Sequence, residues 1–538
     1  MKKIFSFLII LFIISQITAN AQQVSLINHI PPNATSVYEI NIPVLTSKVS
    51  WQEVIKHFPN KKRDSESEEM MNLLNDPSLA GIDINQDIII AKSGNALLDS
   101  VTYTTIIGHI SNAQKLSEAI IKVKPASKII VVPNKYRQLK DYKSTMCWND
   151  KIFVVVTVEP SRQNSFSDSL RMKIGGHQKK ATSLQPKIQQ INYNALASKK
   201  CVAALLGFQK SFFVDDKNFR TDFTNNADVH LYTEQPNTLG FLKKISPSNG
   251  FSMMQEMDGP AHQQANKILV SIRFDNGMIK MDSKSFVAPS MNSIYQKLTS
   301  RPMSMDLVHK IPGEHVLGFF SISFDPTLIV DLLGNGDKRK KIDSALDAKN
   351  LKLDEIVSVF KGDFLLMAMQ PAEMDSLKKL RVFFGATINN PQSLNKVIAE
   401  IKKSSDDNKK ENLFSKMKAG YNAKENILGI SGNQEMANAF VNGELANTTT
   451  DLLSEKEKSS SFNIVVDFKA LNDFINSGNG NFSPKIKPAI GLIKMLDKLV
   501  ITRGGFENNI SESHLELKMM NSSENSLRTL ANLIEGGR

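Results

Sequence analysis

Apolar residues alternate with polar ones in a short run near the start of the chain, and a similar run returns near its middle. Alternation with a period of two is typical of a β-strand that buries one face. Both runs follow an Ile-Pro step. The matching positions are Ile30-Pro31 with Tyr38, Ile40 and Ile42, and Ile311-Pro312 with Phe320, Ile322 and Phe324. Self-similarity of this kind predicts two related halves rather than several unrelated domains.

Helix patterns recur in the same order as these strands. In each half a β-rich run is followed by an Asn and then by apolar residues three or four positions apart, a spacing that places them on one helix face. The residues are Asn112 with Leu116, Ile120 and Val123, and Asn390 with Leu394, Val397 and Ile401. Asn112 and Asn390 stand where the N-cap of each helix is predicted.

A β-hairpin is predicted late in each half. In the first half, Asn276-Gly277 separates two alternating runs, and Asn-Gly is the strongest short-range signal for a two-residue hairpin turn. In the second half, Asn508-Asn509 holds the same place between Phe506 and the run Ile510 to Leu517. Each copy then ends in a helical pattern.

These patterns predict an α+β fold of two tandem related halves, each with antiparallel sheets covered by short helices. Strands that alternate fit antiparallel sheets better than the continuous apolar strands of a parallel sheet. We predict a first repeat over residues 22–302 and a second over 303–538. The first copy is longer, and a loop inserted near 160–190, rich in Ser, Gln, Lys and Gly, accounts for the difference.

Residues 1–21 have the features of a secretory signal peptide: a positive start, an apolar run and small residues before the cleavage site. These features are Lys2 and Lys3, Ile4 to Ile14, and Ala19-Asn20-Ala21. Cleavage is predicted after Ala21. The apolar run is too short for a stable anchor, no later stretch reaches membrane-spanning length, and no Cys follows the run. We therefore expect a periplasmic or secreted protein that is not a lipoprotein and has no integral membrane segment after cleavage.

The formal net charge of +12 becomes +10 once Lys2 and Lys3 are removed with the leader. Acidic and basic residues are interspersed along the chain, whereas nucleic-acid binders concentrate their charge in a patch. The lysines are therefore interpreted as an ordinary solvated surface, and nucleic acid is not expected as a partner.

The chain has two cysteines, Cys147 and Cys201, and both lie in the first half. An oxidising compartment permits a disulfide between them, which the chain-entropy estimate values at about 4 kcal/mol. The alternative is a pair of buried free thiols. The second half has to be stable without a bridge.

Motifs that carry chemistry are incomplete in this sequence. The nine histidines form no His-x-x-x-His pair, and His309 and His315, which are close in sequence, are interpreted as surface residues. Ser431 lacks the glycine two residues later that a nucleophile elbow requires, and it is expected at a strand end. Asp363, which follows Gly362, is interpreted as a turn residue. We assign no catalytic residue, cofactor-binding residue or metal ligand, and expect no cofactor.

Two segments carry a resemblance to a known family. They are Ile30-Pro31 through Leu45, and Leu353-Asp354-Glu355-Ile356 leading to Phe360-Lys361-Gly362-Asp363-Phe364. They resemble the opening strand and helix, and a later short helix with a strand introduced by Gly-Asp, of the exported Bacteroidota family known as domain of unknown function 4836. The resemblance spans most of residues 25–535 and implies export without any assigned activity. Members are often lipoproteins, and the missing lipidation Cys departs from that habit.

The leading functional hypothesis is an exported, non-enzymatic binding or scaffold protein of the bacterial cell envelope, with an unidentified envelope protein or polymer as its partner. The alternative is a hydrolase of an unrecognised type that acts on an envelope polymer through carboxylates brought together by folding. A third hypothesis is a purely structural component of an envelope assembly, for which a large exposed apolar patch is expected.

Overall fold

The chain folds into two compact units, Met1–Thr233 and Glu234–Arg538. The computed structural model describes the following residues: 25–56, 73, 75–94, 100–160, 191–209, 226–235, 266–312, 316–334, 336–348, 350–370, 381–407, 417–445, 459–477 and 487–536. The signal peptide predicted over 1–21 and the inserted loop predicted near 160–190 lie outside the described residues, apart from Pro160, which ends a strand.

The first unit contains an antiparallel sheet and the helices that pack on it. Its strands are β1 (Ala34–Ile40), β2 (Ile88–Ser93), β3 (Val101–His109), β4 (Ile130–Val132), β5 (Tyr136–Lys140), β6 (Ser144–Trp148), β7 (Ile152–Pro160) and β8 (Val229–Gln235), the last of which extends two residues past the unit boundary. Its α-helices are α1 (Ile42–Lys48), α2 (Trp51–Lys56), α3 (Ala113–Val123) and α4 (Tyr193–Leu206), with 3-10 turns at Leu26–His29 and Pro77–Ala80.

Strand order in the first sheet is β8-β1-β2-β3-β7-β6-β5-β4, and all of these pairs are antiparallel. One face packs against α4, whose Ala197, Cys201 and Ala204 are buried. The other face packs against α3 in a hydrophobic cluster that includes Leu116, Trp148 and Phe153. The sheet is therefore covered on both sides in its centre, where successive residues of β7 from Ile152 to Val154 are all buried.

The second unit contains a wider sheet and more helices. Its strands are β9 (Asn266–Asp275), β10 (Met278–Phe286), β11 (Val316–Ser323), β12 (Phe360–Met369), β13 (Arg381–Ile388), β14 (Lys418–Asn422), β15 (Ile427–Ser431), β16 (Phe462–Asp467), β17 (Leu496–Glu507) and β18 (Ile510–Met519). Its α-helices are α5 (Asn292–Leu298), α6 (Met305–Val308), α7 (Thr327–Leu333), α8 (Asp337–Asp347), α9 (Leu353–Val359), α10 (Pro391–Asp407), α11 (Gln434–Asn442), α12 (Phe468–Ser477), α13 (Lys487–Ile493) and α14 (Ser526–Gly536), with a 3-10 turn at Pro289–Met291.

Strand order in the second sheet is β9-β10-β18-β17-β16-β11-β12-β13-β15-β14, again antiparallel throughout. The largest core lies on one face, beneath α6 and α11, and includes Leu307, Phe383 and Phe440. Two smaller clusters lie elsewhere: one contains Val359, Ile388 and Leu394, and the other Ile279, Leu496 and Met519.

These layers confirm the predicted α+β class with antiparallel sheets and covering helices. The predicted caps are also present. Asn112 Oδ1 accepts hydrogen bonds from the backbone N–H groups of Gln114 and Lys115, and Asn390 Oδ1 accepts one from Ser393. Both hairpin turns form where Asn-Gly and Asn-Asn predicted them, between β9 and β10 and between β17 and β18.

The two sheets share a strand order around their central strands. Tyr38 on β1 pairs with Ile90 on β2 and Leu231 on β8. Phe320 on β11 pairs in the same way with β12 and β16, at Leu366 and Ile464. Tyr38 and Phe320 thus stand on strands with the same neighbours, as an internal duplication requires. The duplication itself stays a prediction.

The boundary between the two compact units differs from the boundary predicted between the two repeats. The hairpin β9–β10 belongs to the predicted first repeat, 22–302, but β10 pairs with β18 over nine residue pairs, from Met278↔Lys518 to Phe286↔Ile510. This pairing places the hairpin in the second compact unit. In the chain as far as it is described, no helix has the length and apolar character needed to span a membrane.

We expect Gly362→Ala to lower the free energy of unfolding by about 2–4 kcal/mol. Gly362 begins the irregular part of β12 with a φ of +112°, and a Cβ there would lie 2.0 Å from the carbonyl oxygen of Phe324. Urea denaturation measures the loss. The matched control is Gly505→Ala, where a Cβ meets no heavy atom within 4 Å and the expected change is within about 0.5 kcal/mol. Equal losses in the two variants would contradict the steric account.

Candidate functional site

One face of the second sheet is lined with aromatic and aliphatic side chains that are only partly buried. Strand alternation sends the residues that pair across β17, β16, β11, β12 and β13 to the same side of the sheet. The residues on this side, called the Phe face below, are Phe320, Ile322, Phe364, Leu366, Val382, Phe384, Phe462, Ile464, Ile501 and Arg503. Its phenylalanines contact one another: the ring centroids of Phe320 and Phe462 are 5.4 Å apart, and those of Phe364 and Phe384 are 6.2 Å apart.

The Phe face is most exposed where β12 meets β13. Leu366 keeps 46% of its surface exposed and Val382 keeps 47%, and the two residues lie on neighbouring strands. The opposite faces of these strands are closed, because Leu365 and Phe383 belong to the main core. The apolar residues of the Phe face are therefore available to a ligand at this end of the sheet.

Arg503 is the cationic residue at the other end of the Phe face. It pairs across β17 and β16 with Phe462, and its guanidinium carbon lies 5.4 Å from the centroid of that ring. Burial lowers the pKa of the Arg503 guanidinium, while the neighbouring Tyr295 raises it. Among the residues that the structure describes, this guanidinium has neither an ion-pair nor a hydrogen-bond partner.

Asp363 is buried on the covered face of the second sheet, and its carboxylate is fully engaged. Arg301 lies 2.6 Å from Oδ2, Thr387 donates to Oδ2 at 2.6 Å, and Ser323 donates to Oδ1 at 2.7 Å. The sequence-based interpretation of Asp363 as a turn residue is wrong. It lies within β12, in the irregular stretch between Phe360 and Phe364, and its hydrogen bonds join β11, β12 and β13.

The first unit has a cluster of ionisable groups on β1, β2 and β8. His230 Nδ1 lies 2.7 Å from Glu39 Oε2, and only 1% of His230 and 8% of Glu39 are exposed. Asp87, just before β2, hydrogen-bonds to Glu39. Burial raises the pKa of Asp87 to about 6, the charge and hydrogen bond of Glu39 add to this rise, and His230 opposes it. Asp87 therefore exchanges its proton in a mildly acidic range.

The same sheet positions in the second unit hold different side chains. Glu39 pairs with His230 and Ile89, and Ser321 pairs with Asn463 and Leu365. Asn463 Nδ2 donates to Ser321 Oγ at 3.3 Å. Asp87 stands two residues before Ile89, which pairs with Glu39. In the same way, Asp363 stands two residues before Leu365, which pairs with Ser321. The first unit thus has two acids and a histidine where the second has one acid and neutral side chains.

Cys147 on β6 and Cys201 on α4 are brought together. Both are free thiols and fully buried. Cys201 Sγ donates to the carbonyl oxygens of Thr145 and Val154, each at 3.2 Å, and Gln138 Nε2 donates to Cys147 Sγ at 3.4 Å. The neighbouring Cys201 thiol lowers the pKa of Cys147, and burial raises the pKa of Cys201.

The other residues singled out from the sequence are scattered. His309 is exposed, Ser431 is buried at the end of β15, and His315 lies outside the described residues. His514 contacts Asp282, with Nδ1 and Oδ1 2.6 Å apart. Within the described part of the chain, no three or more His, Cys, Asp or Glu side chains are grouped to hold a metal ion.

Sequence reasoning missed Arg503 and the Glu39–Asp87–His230 cluster. The sequence gives no sign of the His230 contact, because its partner Glu39 lies 191 residues away and no local motif joins them. Arg503 interrupts the apolar alternation of β17, and this break was the available signal.

Comparisons with known proteins identify no family. No family model matches the sequence, and no curated protein matches it. Among solved structures, crystal forms III, I and IV of TP0453 were matched. Form III has 7% identity over 52% of this chain and 89% of that chain, with a TM-score of 0.28. Form I has 9% over 50% and 81%, with a TM-score of 0.26, and form IV has 8% over 52% and 86%, with a TM-score of 0.25. A likeness this weak defines neither the fold nor the function of this chain.

We expect Asp87→Asn to flatten the pH dependence of stability between about pH 4 and pH 6. The folded-state pKa of Asp87 is raised from 3.8 to about 6, so the folded protein binds this proton more tightly than the unfolded chain does. Its contribution to the free energy of unfolding is complete below pH 4 and is lost as the pH rises through 6. Urea denaturation across this range measures it. Asp150→Asn, at an exposed carboxylate of the same unit, should keep the wild-type slope, and a parallel curve for Asp87→Asn would contradict the assignment.

We expect Cys147 and Cys201 to become a disulfide when the protein is produced in an oxidising compartment. The intact mass would then lie below that of the dithiol by two hydrogen atoms, and reduction would lower the free energy of unfolding by about 4 kcal/mol. The variant Cys147→Ala should lose this dependence on reductant. Alkylation of both thiols after unfolding without reductant would establish the alternative of two free cysteines.

Proposed function

We propose that this chain is an exported, non-enzymatic binding or scaffold protein of the bacterial cell envelope, similar to the domain of unknown function 4836 family, which acts in the periplasm or after secretion. The single observation that carries the binding role is the Phe face. Contiguous apolar surface that a folded protein leaves exposed is characteristic of interaction sites. Leu366 and Val382 present such surface beside a row of phenylalanines.

The engagement of the buried polar groups supports a binding role over a catalytic one. Both oxygens of Asp363 already accept hydrogen bonds from Arg301, Ser323 and Thr387. A carboxylate held in this way contributes to the stability of three strands, and any reaction at it would first have to break those bonds. The Phe face, by contrast, combines apolar side chains with Arg503, whose guanidinium has no ion-pair partner in the part of the chain that the structure describes.

A hydrolase is the second candidate, and the observation that favours it is the Glu39–Asp87 pair. A carboxyl group that keeps its proton up to about pH 6 beside a second acid, as Asp87 does beside Glu39, can act as a general acid. Loss of turnover of an envelope polymer in Glu39→Gln would favour this candidate.

The double variant Leu366→Ser/Val382→Ser tests the binding role. Immobilised wild-type protein and the variant are incubated with the same envelope extract, and the retained proteins and lipids are identified by mass spectrometry. We expect a component that the wild type retains to be lost from the double variant, because two apolar contacts at the exposed end of the Phe face are removed.

Val131→Ser is the matched control, since Val131 is 62% exposed on a strand of the other unit. It should retain the same components as the wild type. Identical retention by all three proteins would defeat the assignment of binding to the Phe face, and turnover of an envelope polymer by the pure protein would defeat the non-enzymatic role.

A further inference from the structure

Arg503 is unusual because it is a largely buried cation with no carboxylate paired to it among the residues that the structure describes. Two other largely buried cations of the second unit each have a carboxylate partner. Arg301 pairs with Asp363 at 2.6 Å, and Lys310 pairs with Glu425 at 2.6 Å. Burying an ionised group without a counter-charge costs free energy, which a bound anion would recover. Within the described residues, the Arg503 guanidinium lies over the ring of Phe462 and near Tyr295, and neither group carries a counter-charge at neutral pH.

The surroundings of Arg503 specify the rest of the ligand. Phe462 contacts Phe320 edge to face, with an interplanar angle of 82°, and Phe320 lies opposite Leu366 on the next strand. Apolar side chains thus continue from Arg503 across β16, β11 and β12 to Val382 on β13. Four strand spacings separate the ends of this path, a distance of about 19 Å. A ligand that follows it needs an anionic group at one end and an extended apolar body.

We propose that the Phe face binds an anionic amphiphile, with its carboxylate or phosphate against Arg503 and its hydrocarbon chain along Phe462, Phe320 and Leu366. This proposal deepens, and rests on, the binding role proposed above by naming the class of ligand. Arginine suits the task because its planar guanidinium donates two parallel hydrogen bonds to either anion. Tyr295, which contacts Phe506 near the same end of β17, adds a hydroxyl-bearing ring beside the charge.

Isothermal titration with amphiphiles below their micelle concentrations tests the proposal. The probes are dodecanoate, dodecyl phosphate, the uncharged dodecyl maltoside, and acetate. We expect the wild type to bind dodecanoate or dodecyl phosphate at least tenfold more tightly than dodecyl maltoside, and acetate not to bind detectably. Whichever charged probe binds better identifies the preferred head group, and a preference for either one supports the proposal.

Variants of Arg503 locate the site. Arg503→Gln should weaken binding of the preferred anionic probe at least tenfold and leave dodecyl maltoside unchanged. Arg503→Lys keeps the charge but not the two parallel hydrogen bonds, so its affinity should lie between those of the wild type and Arg503→Gln. Arg137→Gln, at an arginine of the first unit, is the matched control and should bind as the wild type does. Circular dichroism and thermal unfolding check that each variant is folded.

Several results would overturn the proposal: no binding of either anionic probe, equal affinity for charged and uncharged probes, or full affinity in a folded Arg503→Gln variant. The probe comparison uses the wild type alone, so a variant that fails to fold leaves the test intact. If Leu366→Ser/Val382→Ser loses an envelope partner while no amphiphile binds, the binding role stands and only the ligand class is wrong. If neither experiment responds, the Phe face is not a binding site.

Discussion

Burial of alternate side chains under a helix is the constraint on which both sheets depend. In the second unit, α11 and α6 cover one side of the central strands, and Leu307, Phe383 and Phe440 fill the space between them. In the first unit, α4 covers β6 and β7 with Ala197, Cys201 and Ala204. Once one side of a strand is committed to this core, the period of two sends every second residue to the other side. The Phe face exists because those second residues are also apolar.

The two units satisfy their buried polar residues with different side chains. Each carries polar residues at one point where three strands meet. In the second unit, Arg301 and two hydroxyl groups satisfy Asp363. In the first unit, Asp87 shares a hydrogen bond with Glu39, which in turn contacts His230. Because the pKa of Asp87 is raised to about 6, the first cluster responds to acidity, and the first unit is expected to loosen as the pH rises through 6.

Local chemistry explains which features could be predicted from the sequence. The caps at Asn112 and Asn390 and the turns at Asn276-Gly277 and Asn508-Asn509 were recognised because a few adjacent residues determine them. Asp363 was misinterpreted because a Gly-Asp step has the same appearance at a turn and at an irregular strand. Arg503 and Glu39 gained meaning only from strands distant in sequence, since the partner of a strand residue is fixed by register rather than by spacing.

The pairing of β10 with β18 has a consequence for how the gene can be divided. Asp282 stands opposite His514 near the middle of this ladder, so the two hairpins hold each other along their full length. Expression of residues 22–302 alone would release β10 from β18 and leave a row of unpaired backbone N–H and C=O groups on an edge strand. Such a fragment would pair edge to edge with a second copy, and it would be isolated as a dimer.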